Sequence, residues 1–423
     1  MNSTHNISKV YHGKWMIPIH GKSGEVVEHR ECMGMLTYDG ASIKLDVYPD
    51  FSILPVGCDY IEVLYGYDNC GNQYTLFDLY QTNIQFGVSA SFSVTEVVLG
   101  NKIESLSTPV YNECEVVYPY LRNWVHTLLF DITQSDKLYF EAPFDNIQPV
   151  KEIELDGSVR LSICHKNNFK VENYQLHYTE NVVLKIKSDN TLSINEFKRI
   201  ITRFTQFLSV AMYSSQSPCD IVFSISTDKG IVTNRMLFEI TESEKPARKM
   251  LIPFNTFKDR IESLVNKWFN DYEQISPICD YLIRSLEKSV FDAPKFLIVA
   301  QALDGYYKRY GEGKCGYEDG IKRLLNRFQK IELIRACNID ATVMAHTRHK
   351  YSHLIPDNDN SKNIEKAVSG EELYLLTKKA VVLLTCCILD YIGLTIDEIN
   401  KCLEGSMVKQ IIHYIIEKEK YID

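Results

Sequence analysis

The sequence lacks the features of a secreted or zinc-bound protein. Its 12 cysteines include no Cys-x-x-Cys pair, so neither a zinc ribbon nor a disulfide framework is indicated. Residues 1–8 are polar and do not show the charged and then apolar pattern of a secretion signal. These absences predict a chain that stays in the reducing cytoplasm, where cysteines serve as small core residues.

Long hydrophobic runs are also missing. The longest strongly apolar stretch, Ala380–Leu389, is about half the length of roughly 20 residues that a membrane-spanning helix needs. The stretch therefore predicts a buried helix, and no membrane is expected among the partners of this chain.

An excess of positive charge is absent as well. The formal net charge of −9 argues against a nucleic-acid binder that depends on bulk electrostatics. Residues 251–423 nevertheless hold 24 Lys+Arg against 25 Asp+Glu, which leaves 22 against 30 for residues 1–250. The acidity belongs to the first half, so a locally basic surface in the second half remains open.

The composition is that of a globular chain with a large core. Hydrophobic residues make up 45% and aromatic residues 11% of the 423 positions, more aromatics than a disordered chain carries. A chain of this length exceeds what one hydrophobic core usually organises. We therefore expect an α+β protein of more than one domain.

The first half shows short runs of Val, Ile, Thr, Tyr and Phe between turn residues, which predicts a β-rich, sandwich-like domain. Turn residues at 39–40, 156–157 and 228–230 predict three hairpins, since Gly accepts positive φ. One helix is expected near 194–213, where Ser193 and Glu196 form a capping box before an apolar stripe.

A polar, proline-containing segment at 241–248 marks the change from β periodicity to helical periodicity. We place domain boundaries at 1–245 and 250–423 and predict an all-α bundle for the second domain. Asp340, and Ser369 with Glu372, supply helix starts. The helices are expected at 255–273, 278–291, 294–310, 317–335, 340–354, 369–392 and 404–419.

The helix at 340–354 concentrates chemically active side chains. Three of the 11 histidines and one arginine fall within eight positions, as His346, Arg348, His349 and His353. One interpretation is a metal site made by the three histidines along one stripe. A rise of about 10 Å over seven residues separates the outer two, and no HExxH pattern is present. We therefore expect no metal cofactor.

A second interpretation is metal-free RNA cleavage. That reaction needs a group that moves the 2′-hydroxyl proton and a cation that neutralises charge on the phosphate. His353 and Arg348 suit these roles, although side chains five residues apart on a helix diverge by about 140°. Two such helices facing each other across a twofold axis would bring the groups together, which predicts a homodimer or a higher homo-oligomer.

A third interpretation is a solvated helix end without chemistry, since an Arg-x4-His match also arises by chance. The same choice applies to a basic stripe that would guide an RNA backbone or simply face solvent. That stripe consists of Lys322, Arg323, Arg327 and Lys330.

At this point the second half resembles HEPN domains, helical bundles whose ribonuclease members carry Arg, a polar residue, three to five further residues and His. Arg348, His349 and His353 fit those places. The segment 296–306 resembles the first long helix of such domains in bacterial defence proteins. Asp304 stands where many members carry Glu, and we expect it to support the site.

The first half resembles the N-terminal domain of ApeA-like anti-phage proteins. The resemblance rests on Gly13-Lys14-Trp15 with Pro18, on Ile43-Lys44-Leu45 and on Tyr74-Thr75-Leu76-Phe77. It implies an abortive-infection effector whose first domain senses a phage component and whose second domain cuts RNA, with tRNA among the candidates. By the same resemblance His353 is the acid-base residue, Arg348 the phosphate-binding cation and His349 a polar helper. The alternatives are a non-catalytic interaction and dimerisation module and a His-cluster metal hydrolase.

Overall fold

The computed structural model describes residues 8–20, 26–48, 59–85, 88–126, 131–134, 138–141, 147–155, 157–172, 175–228, 230–287, 293–311, 315–356 and 361–421. The strands in these ranges are β1 (Lys9–His20), β2 (Val26–Tyr38), β3 (Ile43–Tyr48), β4 (Tyr60–Asp68), β5 (Gln73–Gln85), β6 (Ser89–Leu99), β7 (Tyr111–Val117), β8 (Asp131–Gln134), β9 (Leu138–Glu141), β10 (Ile147–Glu154), β11 (Val159–Glu172), β12 (Gln175–Leu192), β13 (Asp220–Thr227) and β14 (Gly230–Phe238). The helices are α1 (Leu121–Val125), α2 (Ile194–Met212), α3 (Phe254–Phe257), α4 (Ile261–Asn270), α5 (Tyr272–Leu286), α6 (Ala293–Tyr310), α7 (Tyr317–Arg327), α8 (Glu332–Ala336), α9 (Ala341–Ser352), α10 (Gly370–Tyr391), α11 (Ile396–Gly405) and α12 (Met407–Glu419).

The chain forms two compact units, each discontinuous in sequence. The first unit draws on residues 1–121, 129–201 and 217–242, and the second on residues 122–128, 202–216 and 243–423. Most of α1 and the second half of α2 thus belong to the mainly helical unit. The domain boundaries predicted above, 1–245 and 250–423, stay a prediction.

Six antiparallel strands of the first unit close into a barrel. Around the ring β1 pairs with β4, β4 with β5, β5 with β6, β6 with β3, β3 with β2 and β2 with β1. From β6 the sheet continues through β14, β13, β7, β12, β11 and β10. The predicted β-rich first half, followed by a helical second half, is confirmed. The sheet is a barrel with an extension where we expected a sandwich-like arrangement.

Strand β6 produces this arrangement. One of its edges pairs with β5, while the other pairs first with β3, through residues 90–93, and then with β14, through residues 96–99. One strand therefore belongs both to the barrel and to its extension. The period-two pattern of a strand specifies its buried face but not the neighbours at its edges. For that reason the sequence did not reveal the closure.

The barrel core is organised around Trp15, which is fully buried. A Cβ atom on Gly66 would lie 2.1 Å from Cε3 of Trp15, and one on Gly34 would lie 2.7 Å from its Cδ1, so both glycines make room for the indole. The ring centroid of Tyr74 lies 5.8 Å from that of Trp15. The motifs that resemble ApeA-like proteins supply much of this core, with Trp15, Ile43, Leu45, Tyr74 and Leu76.

The local signals in the first half are confirmed. Hairpins join β2 to β3, β10 to β11 and β13 to β14. Their turn glycines Gly40, Gly157 and Gly230 have φ of 86°, 82° and 120°. Asp156 and Lys229 of two of these turns lie outside the described residues. At the start of α2 the Ser193 amide donates to Glu196 Oε2 at 2.7 Å and the Glu196 amide donates to Ser193 Oγ at 3.2 Å, which is the predicted capping box.

Helix α10 forms the centre of the second unit, and its segment Ala380–Leu389 is buried, as predicted. Helix α6 packs against α5, α7, α9 and α10. Within the described ranges no helix has both the length and the apolar character needed to cross a membrane.

Two predicted helices in this region are wrong in their extent. The helix expected at 255–273 is divided among α3, α4 and the start of α5, and the one expected at 317–335 ends at Arg327 and resumes as α8. In the second case Phe328 and Ile331 are fully buried on either side of the break. Tertiary packing of these two side chains outweighs the local helical pattern.

Candidate functional site

Helix α9 carries most of the predicted site and has a well-defined start. The carboxylate of Asp340, the N-cap residue, accepts hydrogen bonds from the amides of Thr342 and Val343 at 2.7 and 3.2 Å. The helix ends at Ser352, where His353 is the C-cap residue and Leu354 turns the chain with φ of 51°. This left-handed residue ends the helix directly after His353.

Arg348 is held between an acid and an aromatic ring. Its Nη2 donates to Oδ2 of Asp304, on α6, at 3.3 Å, and its guanidinium carbon lies 4.8 Å from the ring centroid of Tyr317, on α7. The side chain of Arg348 keeps 36% of its surface exposed, while that of Asp304 keeps 12%. The contacts orient the guanidinium and leave part of it facing solvent.

The acid beside Arg348 serves two cations. Lys308 Nζ, one helical turn after Asp304, donates to the same carboxylate oxygen at 2.8 Å. One negative charge thus lies between two positive charges, so this group carries a local positive excess despite the net charge of −9 of the chain. Such an excess attracts a phosphate.

His349 and His353 form a stacked pair at the end of α9. Their ring centroids lie 4.6 Å apart with planes tilted by 56°, as expected for residues separated by one turn. The side chain of His353 is exposed, and that of His349 is partly exposed. The structure therefore brings Asp304 to Arg348 and His349 to His353.

The opposite side of α9 is anchored to the chain segment before α10. Thr347, fully buried, accepts a hydrogen bond from the Val368 amide at 3.2 Å, and the Tyr351 hydroxyl donates to the Val368 carbonyl at 3.3 Å. His346 Nδ1 accepts from the Lys366 amide at 3.2 Å. These bonds fix the rotation of the helix.

The histidines do not gather as a ligand set. His346 uses Nδ1 for a backbone hydrogen bond, whereas His349 and His353 stack on each other. Across the part of the chain that the structure describes, no group of three or more His, Cys, Asp or Glu side chains is placed to hold a metal ion. This geometry gives no support to the metal-hydrolase alternative.

Tyr317 is a member of the site that sequence reasoning missed. Its hydroxyl is buried without a hydrogen-bond partner, and burial raises the pKa of this phenol, with nearby Arg348 acting in the opposite direction. Nothing in the spacing links Tyr317 to α9, because the contact depends on how α7 packs. Its position at the first residue of α7, after a glycine, carries no chemical signal of its own.

The predicted RNA-binding stripe is largely occupied by protein acceptors. Lys322 pairs with Glu318 at 2.7 Å, and Arg323 donates to the Tyr307 hydroxyl at 2.8 Å. Arg327 makes two hydrogen bonds of 2.9 Å to Asp390, and Lys330 is exposed. A role for these four residues in RNA binding stays a prediction.

Comparison with known families addresses the whole chain. A family model described as ApeA N-terminal domain 1 matches residues 10–268, more than half of the sequence. The chain belongs to this ApeA family. A second model, Apea-like HEPN, matches residues 297–398, so this ApeA-like protein has a HEPN domain. No curated protein and no solved structure matches the chain.

The second match contains the whole constellation built above. Asp304 and Tyr317 lie in the first part of the matched range, and Arg348, His349 and His353 lie further on. HEPN domains are generally nucleases, and an ApeA-like HEPN protein points to a nuclease-type effector of abortive infection.

Proposed function

We propose that this ApeA-like protein is an anti-phage effector whose HEPN domain cleaves RNA without a metal ion. One observation carries the proposal. An oriented and partly exposed Arg348, beside Asp304 and Tyr317, lies on the same helix as the exposed His353. Inside the matched HEPN region, this supports a phosphodiester rather than a purely structural role for α9.

The chemistry follows from the side chains. Arg348 binds a non-bridging phosphate oxygen and neutralises the charge that grows during attack of the 2′-hydroxyl. His353 moves the proton of that hydroxyl or supplies one to the leaving 5′-oxygen, and His349 supports the imidazole by stacking. Asp304 keeps the guanidinium in place. The products are a 2′,3′-cyclic phosphate and a 5′-hydroxyl.

The proposed active form is a homodimer. Arg348 and His353 diverge by about 140° around α9 and lie about 7.5 Å apart along its axis, so one helix brackets a phosphate poorly. A twofold axis beside α9 would combine two arginines and two histidines in one groove. In this scheme a phage component bound by the β-rich region triggers cleavage of RNA in the infected cell, and tRNA is one candidate substrate.

The decisive experiment is RNA cleavage by the purified protein in EDTA. We expect 2′,3′-cyclic phosphate ends and a loss of about 100-fold or more in rate for His353→Ala, the usual scale for a general acid or base. His413→Ala is the matched control, since His413 is an exposed histidine on another helix of the same unit. Equal activity of His353→Ala and His413→Ala would remove the assignment.

The pairing of the basic stripe favours a second candidate, a non-catalytic interaction module. With Lys322, Arg323 and Arg327 held by Glu318, Tyr307 and Asp390, little free cationic surface remains there for an RNA backbone. This candidate expects phage protection to survive in both Arg348→Ala and His353→Ala. The nuclease proposal expects protection to be lost in both.

A further inference from the structure

A cavity in the second unit lies beside the predicted site but is separate from it. It occupies about 130 Å³ among α5, α6, α9 and α10. Its lining includes Lys295, Tyr351, Leu373, Tyr374, Lys378 and Val381. Apolar and aromatic walls with two lysines describe a pocket for a molecule that is both apolar and charged.

The two lysines make the cavity electropositive. Lys295 is only 9% exposed and donates to the Glu287 carbonyl at 2.7 Å, and Lys378 Nζ lies 5.6 Å from the ring centroid of Tyr374. None of the described residues that line the cavity carries a carboxylate. Burial, and then the charge of Lys295, lower the pKa of Lys378, as expected for neighbouring ammonium groups.

The start of α10 adds a further positive end. Gly370, the first residue of this 22-residue helix, belongs to the cavity wall. The N-cap residue Ser369 makes no side-chain hydrogen bond to the first turn. The amide groups and the positive dipole of the helix therefore add to the field of the two lysines.

We propose that this cavity binds a small organic anion, with its charged group at Lys378 and Lys295 and an apolar body against Leu373 and Val381. The size supports a compact ligand, because a dry cavity of about 150 Å³ is known to hold one benzene molecule. Two convergent ammonium groups favour a carboxylate or a phosphate ester over a neutral compound. Tyr351 lies between Arg348 and His353 in the sequence, so the occupant would contact the helix of the predicted site.

Titration calorimetry on the full chain tests the proposal with three probes. Benzoate combines charge and apolar body, benzyl alcohol has the body alone, and inorganic phosphate has the charge alone. We expect benzoate to bind with one site per chain and at least about tenfold more tightly than either of the others. Absence of saturable benzoate binding, or equal binding of benzyl alcohol or phosphate, would overturn the proposal.

Two variants of one lysine locate the binding. Lys378→Gln should weaken benzoate about tenfold, and Lys378→Arg should retain it, because the arginine keeps the charge. Lys418→Gln is the matched control, since Lys418 lies 5.9 Å from the ring centroid of Tyr414 with the same spacing along the exposed α12. Equal loss, or no loss, in Lys378→Gln and Lys418→Gln would contradict a site at Lys378. The readout is binding, so its outcome is independent of the RNA-cleavage proposal.

Discussion

Arg348 depends on two neighbours that act in different ways. Asp304 attracts the guanidinium by charge but shares its carboxylate with Lys308, and the ring of Tyr317 supports one face of the guanidinium. The aromatic contact does not neutralise the charge. Arg348 is thus oriented while its charge stays available to a phosphate.

Substitution of Tyr317 separates the ring from its hydroxyl. Tyr317→Phe keeps the ring and removes a buried hydroxyl without a partner, so stability should stay equal or rise by about 1 kcal/mol, with cleavage unchanged. Tyr317→Leu removes the ring and should lower kcat about threefold to tenfold. Urea unfolding and single-turnover cleavage of both variants measure these effects. Equal kcat values for the two variants would mean that the ring does not position Arg348.

The glycines around Trp15 give a second prediction at this scale. Gly66→Ala places a methyl group 2.1 Å from the indole and should cost about 3 kcal/mol in the free energy of unfolding, because the core must shift. Gly40→Ala meets nothing within 4 Å but has φ of 86°, so it should cost only about 1 kcal/mol of backbone strain. Urea unfolding compares the two. A Gly66→Ala variant as stable as Gly40→Ala would contradict tight packing of the barrel core.

At the scale of elements, two helices of the second unit differ in how they begin. Asp340 caps α9 with two hydrogen bonds, whereas Ser369 occupies the same position before α10 and makes none. Both residues are N-cap types that the sequence marked as helix starts. Only the backbone geometry of each loop decides whether the side chain reaches the amides.

We therefore expect unequal effects of alanine at these two positions. Asp340→Ala should destabilise the second unit by about 1 kcal/mol, and Ser369→Ala by no more than a few tenths. Burial alone would raise the pKa of Asp340, but hydrogen bonds from Val343 and Thr342 outweigh it and lower this pKa below 3.8. The folded pKa is the lower one, so the stabilisation is present above pH 3.8 and is lost as the pH falls through the folded pKa. Thermal melting across this range checks both points, and equal losses at both positions would contradict the capping geometry.

At the scale of the whole molecule, the proposed site is shared between two copies of the chain. In a symmetric dimer, Arg348→Ala and His353→Ala are inactive alone, but a mixed dimer keeps one arginine and one histidine in the groove. Mixing equal amounts after mild dissociation should produce about half mixed dimers and restore a measurable part of the cleavage rate. A mixture as inactive as its components would contradict a composite site. Size-exclusion chromatography with light scattering checks that dimers form.

Much of the local structure was visible in the sequence because it depends on neighbouring residues. The three hairpins, the capped helix α2 and the buried segment Ala380–Leu389 follow from turn glycines, a capping box and an apolar run. One such signal was overlooked. Thr395 and Glu398 form a capping box that starts α11, and we had placed the start of the last helix at 404. The motifs at Trp15 and Arg348 also led to the family.

The remaining features depend on contacts between distant segments, which no local pattern encodes. Closure of the barrel required β6 to share its edges among β3, β5 and β14, and the break after Arg327 required two buried side chains. The sequence by itself determined the elements, the family and the residues proposed for chemistry. Only the tertiary structure placed Asp304 and Tyr317 against Arg348, because α6, α7 and α9 meet there through packing rather than through spacing along the chain.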